Sequence, residues 1–214
     1  MRVVIADDAA LVREGLVRLL GEVGVDTVAS VGDAAALEAA VAEQDPDVAI
    51  VDIRMPPTFT DEGAQAALRV RATHPRTAVL LLSSHLDVSA ALRLVANGSE
   101  AVGYLLKDRV ADVQTLVDAL ERLAAGGTVL DHDLVGALLR RQAHRDRLSA
   151  LTNRERDVLG LMAEGRSNAA ISRALFLNPK TVESHISSIF TKLDLLDMPD
   201  DNRRVLAVLA QLQG

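Results

Sequence analysis

The sequence predicts an α/β domain built on a parallel sheet, followed by a smaller all-α domain. Short apolar runs alternate with helical periodicity as far as about residue 125, and only helical periodicity follows. Charge divides the 214-residue chain in a similar way: residues 1–130 hold 11 Lys and Arg against 19 Asp and Glu, whereas residues 140–193 hold 10 against 5. The second domain therefore either suits a polyanionic partner or carries a solvated charged surface.

Five runs of strand length alternate with five helical segments in the first domain. Right-handed crossovers between such strands give a parallel sheet that helices cover on both faces. Ligands of such folds bind beyond the carboxyl ends of the strands. The predicted strands are 2–6, 27–31, 48–52, 78–83 and 103–106, and the predicted helices are 9–22, 34–43, 62–73, 88–97 and 110–125.

Polar side chains occur where these strands end. Asp7 and Asp8 follow the first strand, Asp52 ends the third, Ser83 ends the fourth and Lys107 follows the fifth. Crowded carboxylates repel one another, which raises pKa values or recruits a cation, and a ligand set of oxygens alone favours Mg²⁺. A carboxylate beside Mg²⁺ can attack phosphorus while a lysine and a hydroxyl neutralise the transferred group. We therefore expect Asp52 to accept a phosphoryl group.

A simpler role exists for the first two acids. Taken singly, Asp7 and Asp8 are typical of helix N-caps, where a carboxylate accepts backbone N–H groups and faces the positive end of the helix dipole. Capping does not account for the whole set at the strand ends.

The C-terminal part predicts a succession of helices. Thr152 and Glu155 have the spacing of a capping box, and a short helix over 168–175 follows the helix that they begin. Asn178 is a natural N-cap, with Pro179 in the first turn of a third helix.

This third helix has an apolar face and a polar face. Its apolar residues are Val182, Ile186, Ile189, Phe190 and Leu193, and its polar residues are Lys180, Thr181, Glu183, Ser184, Ser187, Ser188 and Lys192. A helix of this kind can lie in the major groove of DNA, where Ser, Thr and Lys bind phosphates or base edges. The alternative is a helical bundle with a solvated face.

Both halves resemble the NarL/FixJ group of two-component response regulators. The segments "IADDAALVREGL", "DIRMP", "LLSSH" and "GYLLKD" are similar to a receiver domain, and the segment beginning "LTNRERDVLGLMAEGRSN" is similar to a LuxR-type helix-turn-helix. The resemblance implies a flavodoxin-like (βα)5 receiver over 1–126, a helical linker over 127–147, and an all-α helix-turn-helix DNA-binding domain over 148–214.

The resemblance also implies roles for particular residues. Asp52 would be phosphorylated by a partner histidine kinase, and Ser83 and Lys107 would hold the phosphoryl oxygens. Tyr104 matches the switch aromatic of such receivers, although it also suits a core position with a wet hydroxyl. The implied Mg²⁺ ligands are Asp7, Asp8, Asp52 and the backbone carbonyl of Arg54.

The implied nucleic-acid partner is double-stranded DNA, bound by a homodimer that forms on phosphorylation. His185 matches a histidine of many such helices and joins the polar residues above as a DNA-binding candidate, with packing as its other role. A last helix over 202–212 has an apolar stripe that either covers the domain core or pairs with a second subunit. RNA polymerase is a further candidate partner.

Two departures from the family pattern affect the site. The loop over 57–63 is longer than such receivers usually carry, and Lys107 precedes Asp108 rather than proline. A cis bond at that position would cost about 3 kcal/mol, so the placement of the lysine needs support from elsewhere.

Other classes of function fit less well. The chain has no cysteine, no long apolar run and no export signal, which indicates a cytoplasmic protein without a membrane partner. We expect no enzyme activity beyond acceptance of a phosphoryl group and slow loss of it. The alternatives are a phosphorylation-independent transcription factor whose receiver is a dimerisation module, and an aspartyl-nucleophile phosphohydrolase, which commonly needs a second acid where Arg54 stands.

Overall fold

The computed structural model describes residues 1–96, 98–196 and 201–213. It divides into two compact units, Met1–Val135 and Gly136–Gly214. Among the described residues, no helix combines the length and the apolar character needed to cross a membrane.

The first unit is built on a parallel sheet of six strands in the order β2-β1-β3-β4-β5-β6. Every residue of β3 and β4 is buried, as expected for strands that helices cover on both faces. The predicted parallel α/β fold is therefore confirmed. The strands are β1 Arg2–Ala6, β2 Asp26–Val31, β3 Val48–Asp52, β4 Ala78–Ser83, β5 Val102–Leu106 and β6 Thr128–Leu130.

The sixth strand was not predicted. It pairs with β5 through positions that include Tyr104 and Leu130. Three residues are too few for periodicity to distinguish a strand from a loop, and the edge of a formed sheet supplies the hydrogen bonds that stabilise it. The segment 127–147, expected to be a helical linker, thus contributes a strand before its helix begins at His132.

Five helices of the first unit follow the predicted segments closely, except at the last. A short 3-10 helix, Lys107–Ala111, comes directly after β5, so the final helix starts at Val113, where the side chain of Asp112 accepts a hydrogen bond from the Gln114 amide. The predicted end of the fourth helix, Asn97, lies outside the described residues. The helices are α1 Ala10–Glu22, α2 Ala34–Gln44, α3 Glu62–Thr73, α4 Val88–Ala96 and α5 Val113–Ala124.

The remaining helices surround a second apolar core. The capping box is present, because Thr152 Oγ1 accepts from the Glu155 amide and the Glu155 carboxylate accepts from the Thr152 amide. Asn178 caps the third helix of this group, as predicted. The helices are α6 His132–Ser149, α7 Asn153–Ala163, α8 Asn168–Leu175, α9 Pro179–Lys192 and α10 Arg203–Gln213.

Candidate functional site

Three carboxylates meet at the carboxyl edge of the sheet. Asp7 and Asp8 follow β1, and Asp52 ends β3. Asp7 and Asp52 are buried, Asp8 is exposed, and one carboxylate oxygen from each lies within 4.8 Å of the others. Adjacent parallel strands bring these residues together, as their positions at the strand ends predict.

Lys107 contacts two of the three acids. Its Nζ donates to Asp7 Oδ2 at 2.7 Å and lies 3.2 Å from Asp52 Oδ1. Burial alone would lower the pKa of Lys107, but the hydrogen bond to Asp7 and the charge of Asp52 raise it above its usual value. The lysine is therefore a fixed positive charge in the site.

One lysine does not neutralise three carboxylates. Burial raises the pKa of Asp52, Lys107 lowers it, and the charges of Asp7 and Asp8 raise it again, so that the pKa ends above the usual value of an aspartate. A partly exposed cluster of oxygen ligands with excess negative charge fits a hard divalent cation such as Mg²⁺.

Helix capping does not explain the first two acids. The N-cap residue of α1 is Ala9, and no side chain caps that helix. Asp7 Oδ1 accepts a hydrogen bond from the Ala9 amide at 2.9 Å, which fixes the carboxylate within the loop before the helix. The capping interpretation is wrong for this helix.

The hydroxyls of Ser83 and Tyr104 bind the loop between β4 and α4. Ser83 Oγ donates to the carbonyl of His85 at 2.6 Å and accepts from the His85 amide at 3.3 Å. Tyr104 is fully buried, and its hydroxyl donates to the same carbonyl at 3.0 Å while it accepts from the Asp87 amide at 2.8 Å. The Tyr104 hydroxyl therefore binds protein groups and is not exposed to water, contrary to the wet hydroxyl that the core alternative expected.

Gly63 packs directly against the main chain of Asp52, a contact that sequence reasoning did not identify. A Cβ at Gly63 would lie 1.7 Å from the carbonyl oxygen of Asp52, and the Gly63 amide donates to the Ile53 carbonyl at 3.0 Å. The carboxylate of Glu62 accepts from the amides of Thr58 and Thr60, so the long loop before α3 is ordered by its own side chains. Arg54, the predicted carbonyl ligand, precedes this loop and is exposed.

Asp131 holds the segment that carries Lys107. Its carboxylate is buried and accepts hydrogen bonds from Arg109 Nε at 3.2 Å, the Leu106 amide at 3.5 Å and the Asp133 amide at 2.9 Å. Burial raises the pKa of Asp131, but these hydrogen bonds outweigh burial and lower it. This contact supplies support for the lysine without proline, and it was missed because residue 131 was assigned to the linker.

Most of the predicted DNA-binding side chains are accessible on α9. His185 is half-buried and lies beside the apolar face of the helix. The exposed residues are Lys180, Thr181, Glu183, Ser184 and Ser187.

Ser188 and Lys192 instead bind a buried carboxylate within the domain. Ser188 Oγ donates to Glu155 Oε1 at 2.6 Å, and Lys192 Nζ donates to Glu155 Oε2 at 2.7 Å. Burial alone would raise the pKa of Glu155, but hydrogen bonds from Lys192, Ser188 and Thr152 lower it to about 2. Both residues thus fix α9 to the start of α7, a role that helical periodicity could not distinguish from a polar outer face.

The stripe on α10 is divided between two environments. Ala207 is buried in the domain core and Val208 packs against it. Val205, Leu209 and Leu212 remain 53%, 45% and 71% exposed. The helix therefore covers the core and also presents an apolar surface.

Comparison with known proteins covers nearly the whole chain. Residues 3–121 match the family model of the response regulator receiver domain, and residues 149–210 match that of bacterial regulatory proteins of the luxR family. The chain is 34% identical over 210 residues to the oxygen regulatory protein NreC of Staphylococcus haemolyticus, with 94% of each covered. It is 38% identical over 200 residues to the probable transcriptional regulatory protein NarL of Mycobacterium tuberculosis, with 92% of this chain and 89% of the relative covered.

Solved structures of response regulators share the fold. The RcsB response regulator of Salmonella typhimurium superposes with a TM-score of 0.65 at 25% identity, with all of both chains covered. A structure of two RcsB dimers bound to two parallel DNAs matches with a TM-score of 0.55 at 26% identity, covering 99% of this chain and 97% of that one. This chain belongs to the NarL type of response regulator, with a receiver domain and a LuxR-type DNA-binding domain.

Proposed function

We propose that this regulator controls transcription through Mg²⁺-dependent phosphorylation of Asp52 by a partner histidine kinase. The observation that carries the proposal is the cluster of Asp7, Asp8 and Asp52, in which Lys107 contacts Asp7 and Asp52. In this proposal residues 1–126 act as the receiver, residues 148–214 bind DNA, and residues 127–147 join them.

The chemistry assigned to Asp52 is a phosphoryl transfer. A carboxylate oxygen of Asp52 forms the new P–O bond as the P–N bond of a phosphohistidine breaks, and the released imidazole takes up a proton. Asp7, Asp8, Asp52 and the carbonyl of Arg54 would hold Mg²⁺, which supplies charge neutralisation for the transferred group. Lys107, already charged and 3.2 Å from Asp52, would pair with a phosphoryl oxygen.

The switch is assigned to the loop between β4 and α4. Ser83 and Tyr104 donate to the same acceptor, the carbonyl of His85. If Ser83 turns to a phosphoryl oxygen, this carbonyl loses one of its two donors, and the loop that Tyr104 also holds is free to shift. Phosphorylation would thereby change the receiver surface near α4 and favour a dimer.

The decisive experiment compares the wild type with Asp52→Ala, using acetyl phosphate as the donor and Mg²⁺ as the cofactor. We expect phosphorylation, self-association and a gain in DNA affinity of about tenfold or more in the wild type alone, which is within the usual range of coupling between two sites. Asp26→Ala, which removes an exposed acid at the start of β2, is the matched control and should behave as the wild type. An equal response of wild type and Asp52→Ala would favour the phosphorylation-independent alternative, and steady multiple turnover of a phosphate ester would favour the phosphohydrolase.

The proposed partner of the second domain is double-stranded DNA, bound by a homodimer. The exposed polar residues of α9 fit the major groove, and the DNA-bound RcsB dimers provide a related precedent. The exposed apolar residues of α10 suit pairing of two copies, and two half-sites would then set the register. RNA polymerase remains a candidate partner, and the proposal includes a cytoplasmic location because bacterial DNA lies there.

Glu183 offers a specific test of the groove position. It is exposed on α9 and would repel phosphates, although it could accept a hydrogen bond from a cytosine amino group. We expect Glu183→Lys to raise affinity for non-specific DNA severalfold and to change sequence preference, measured by fluorescence anisotropy with specific and scrambled duplexes. Glu164→Lys, at an exposed position at the end of α7, controls for added charge. Unchanged DNA affinity and sequence preference in Glu183→Lys would contradict the proposed position of α9 in the major groove.

A further inference from the structure

We infer that Arg13 is a positioning residue for the Mg²⁺ site, because it fixes the main chain that carries Asp7 and Asp8. The inference rests on the proposed function and extends it to a residue outside the cluster itself. Arg13 lies in the first turn and a half of α1 and folds back over the preceding loop. Its Nη1 donates to the carbonyl of Asp7 at 2.5 Å and to the carbonyl of Asp8 at 3.1 Å.

Arg13 supplies a donor to two carbonyls that lie outside regular secondary structure. β1 ends at Ala6 and α1 begins at Ala10, so both carbonyls fall between the sheet and the helix. Among the residues that the structure describes, no backbone N–H outside the regular strands and helices donates to either one. The Asp7 carbonyl is partly buried and would be unfavourable without a donor, and the same guanidinium nitrogen also binds the exposed carbonyl of Asp8.

The carbonyls of Asp7 and Asp8 belong to the two peptide planes on either side of the Asp8 Cα, so Arg13 fixes the main chain from which the Asp8 side chain extends. The Asp7 carboxylate is already fixed by the Ala9 amide and Lys107, whereas no described hydrogen bond or ion pair fixes the Asp8 carboxylate. The position of its Cβ is set by the main chain that Arg13 holds, and this limits where the Asp8 carboxylate can reach. Loss of the arginine would release this main chain and let the Asp8 carboxylate move away from the other two acids, and such supporting contacts typically change metal affinity by about 10–100-fold.

A second observation shows that the guanidinium has a defined place. A Cβ added to Gly32, in the loop after β2, would lie 3.5 Å from Arg13 Nη1. The guanidinium therefore lies close to two loops at the same edge of the sheet, and its position does not depend on solvent contacts alone.

The two possible roles of Arg13, positioning the loop and supplying a positive charge, predict opposite changes in Mg²⁺ affinity when Arg13 is replaced. If Arg13 acted only as a nearby positive charge, its removal would strengthen Mg²⁺ binding, because like charges repel. If it acts through the loop, neutral Arg13→Gln weakens binding. Arg13→Lys keeps the charge but has a shorter stem, so it weakens binding less than Arg13→Gln.

The experiment titrates MgCl₂ into the full chain by isothermal calorimetry, for wild type, Arg13→Gln, Arg13→Lys and Arg18→Gln. Arg18 lies on the same helix and is exposed, so its variant controls for the lost charge. We expect the Mg²⁺ dissociation constant of Arg13→Gln to rise about tenfold or more, with a smaller rise in Arg13→Lys. Arg18→Gln should match the wild type.

A second measurement separates binding from chemistry. Phosphorylation by acetyl phosphate as a function of Mg²⁺ should show a raised half-saturating concentration in Arg13→Gln, whereas the rate at saturating Mg²⁺ stays within about threefold of the wild type. Binding by Arg13→Gln that equals or exceeds that of Arg18→Gln would overturn the positioning role. Failure of the wild type itself to bind Mg²⁺ would instead overturn the proposed function, so the two failures are distinguishable.

Discussion

Each of the two units contains a lysine that donates to a buried carboxylate at 2.7 Å, Lys107 to Asp7 and Lys192 to Glu155. The surroundings of the two pairs differ. Glu155 is one carboxylate with several donors, which are Lys192, Ser188 and Thr152. In the receiver the ratio is reversed, because the cluster has three carboxylates and one lysine, which contacts two of them.

The pKa values follow this difference. The donors around Glu155 hold its pKa at about 2, whereas burial and the neighbouring acids raise the pKa of Asp52 despite Lys107. A structural cluster has its charge satisfied by the protein itself. The proposed phosphorylation site keeps excess negative charge, which a bound cation would neutralise.

The largest expected effect comes from Glu155→Ala. This change leaves Lys192 and the hydroxyls of Thr152 and Ser188 without their acceptor. Breaking a buried ion pair costs about 3–5 kcal/mol, and the lower end of this range applies because the Lys192 side chain is 31% exposed and can turn toward water. We expect the C-terminal unit to lose that much stability, measured by hydrogen exchange of peptides from α7 and α9. Glu164→Ala, at an exposed site in the same unit, should change stability by less than about 0.5 kcal/mol. A loss as small as that in Glu155→Ala would mean that the cluster is not structural.

Acid pH should have the next largest effect. Because the pKa of Glu155 is about 2 in the fold against an ordinary 4.5, the folded state binds this proton more weakly than the unfolded state. The resulting stability is fully present above about pH 4.5 and is lost as the pH falls toward 2, and it amounts to at most about 3 kcal/mol. Denaturant unfolding between pH 5 and pH 3 should show this slope in the wild type. The same slope in Glu155→Gln would assign it to other groups.

The smallest expected effect is a gain in stability rather than a loss. Because the pKa of Asp52 is raised, its charged form opposes folding at neutral pH, and Asp52→Asn removes that cost. We expect the receiver to gain about 1 kcal/mol or less in Mg²⁺-free buffer, with Asp26→Asn as an exposed control. Addition of Mg²⁺ should stabilise the wild type more than Asp52→Asn. A loss of receiver stability in Asp52→Asn would contradict this prediction, because it would mean that donors within the protein already neutralise Asp52, as they do Glu155.

The sequence was sufficient for the features that depend on local patterns. Alternation of apolar runs and helices predicted the parallel sheet, and the ends of parallel strands necessarily bring Asp7, Asp52 and Lys107 to one edge. The capping residues Thr152 and Asn178 were likewise predicted, because a cap is a contact between residues two to three positions apart.

Features that depend on packing between distant segments were missed. β6 is stabilised by its hydrogen bonds to β5. The contacts of Glu155 with Ser188 and Lys192 require α9 to lie against α7. Arg13 was inconspicuous because an arginine on a helix usually faces solvent, and only the loop geometry shows its two carbonyl partners.

The contacts of Glu155 have a consequence for how such a regulator can be controlled. Ser188 and Lys192 anchor the inner side of α9 to a carboxylate whose donors are already complete. In the proposed mode of DNA binding, the exposed face of α9 is thus already held in place by contacts within its own domain, and phosphorylation of the receiver would not need to reshape it. Phosphorylation would then act on the availability of this surface and on the number of copies bound, so DNA affinity would change while base preference stays constant.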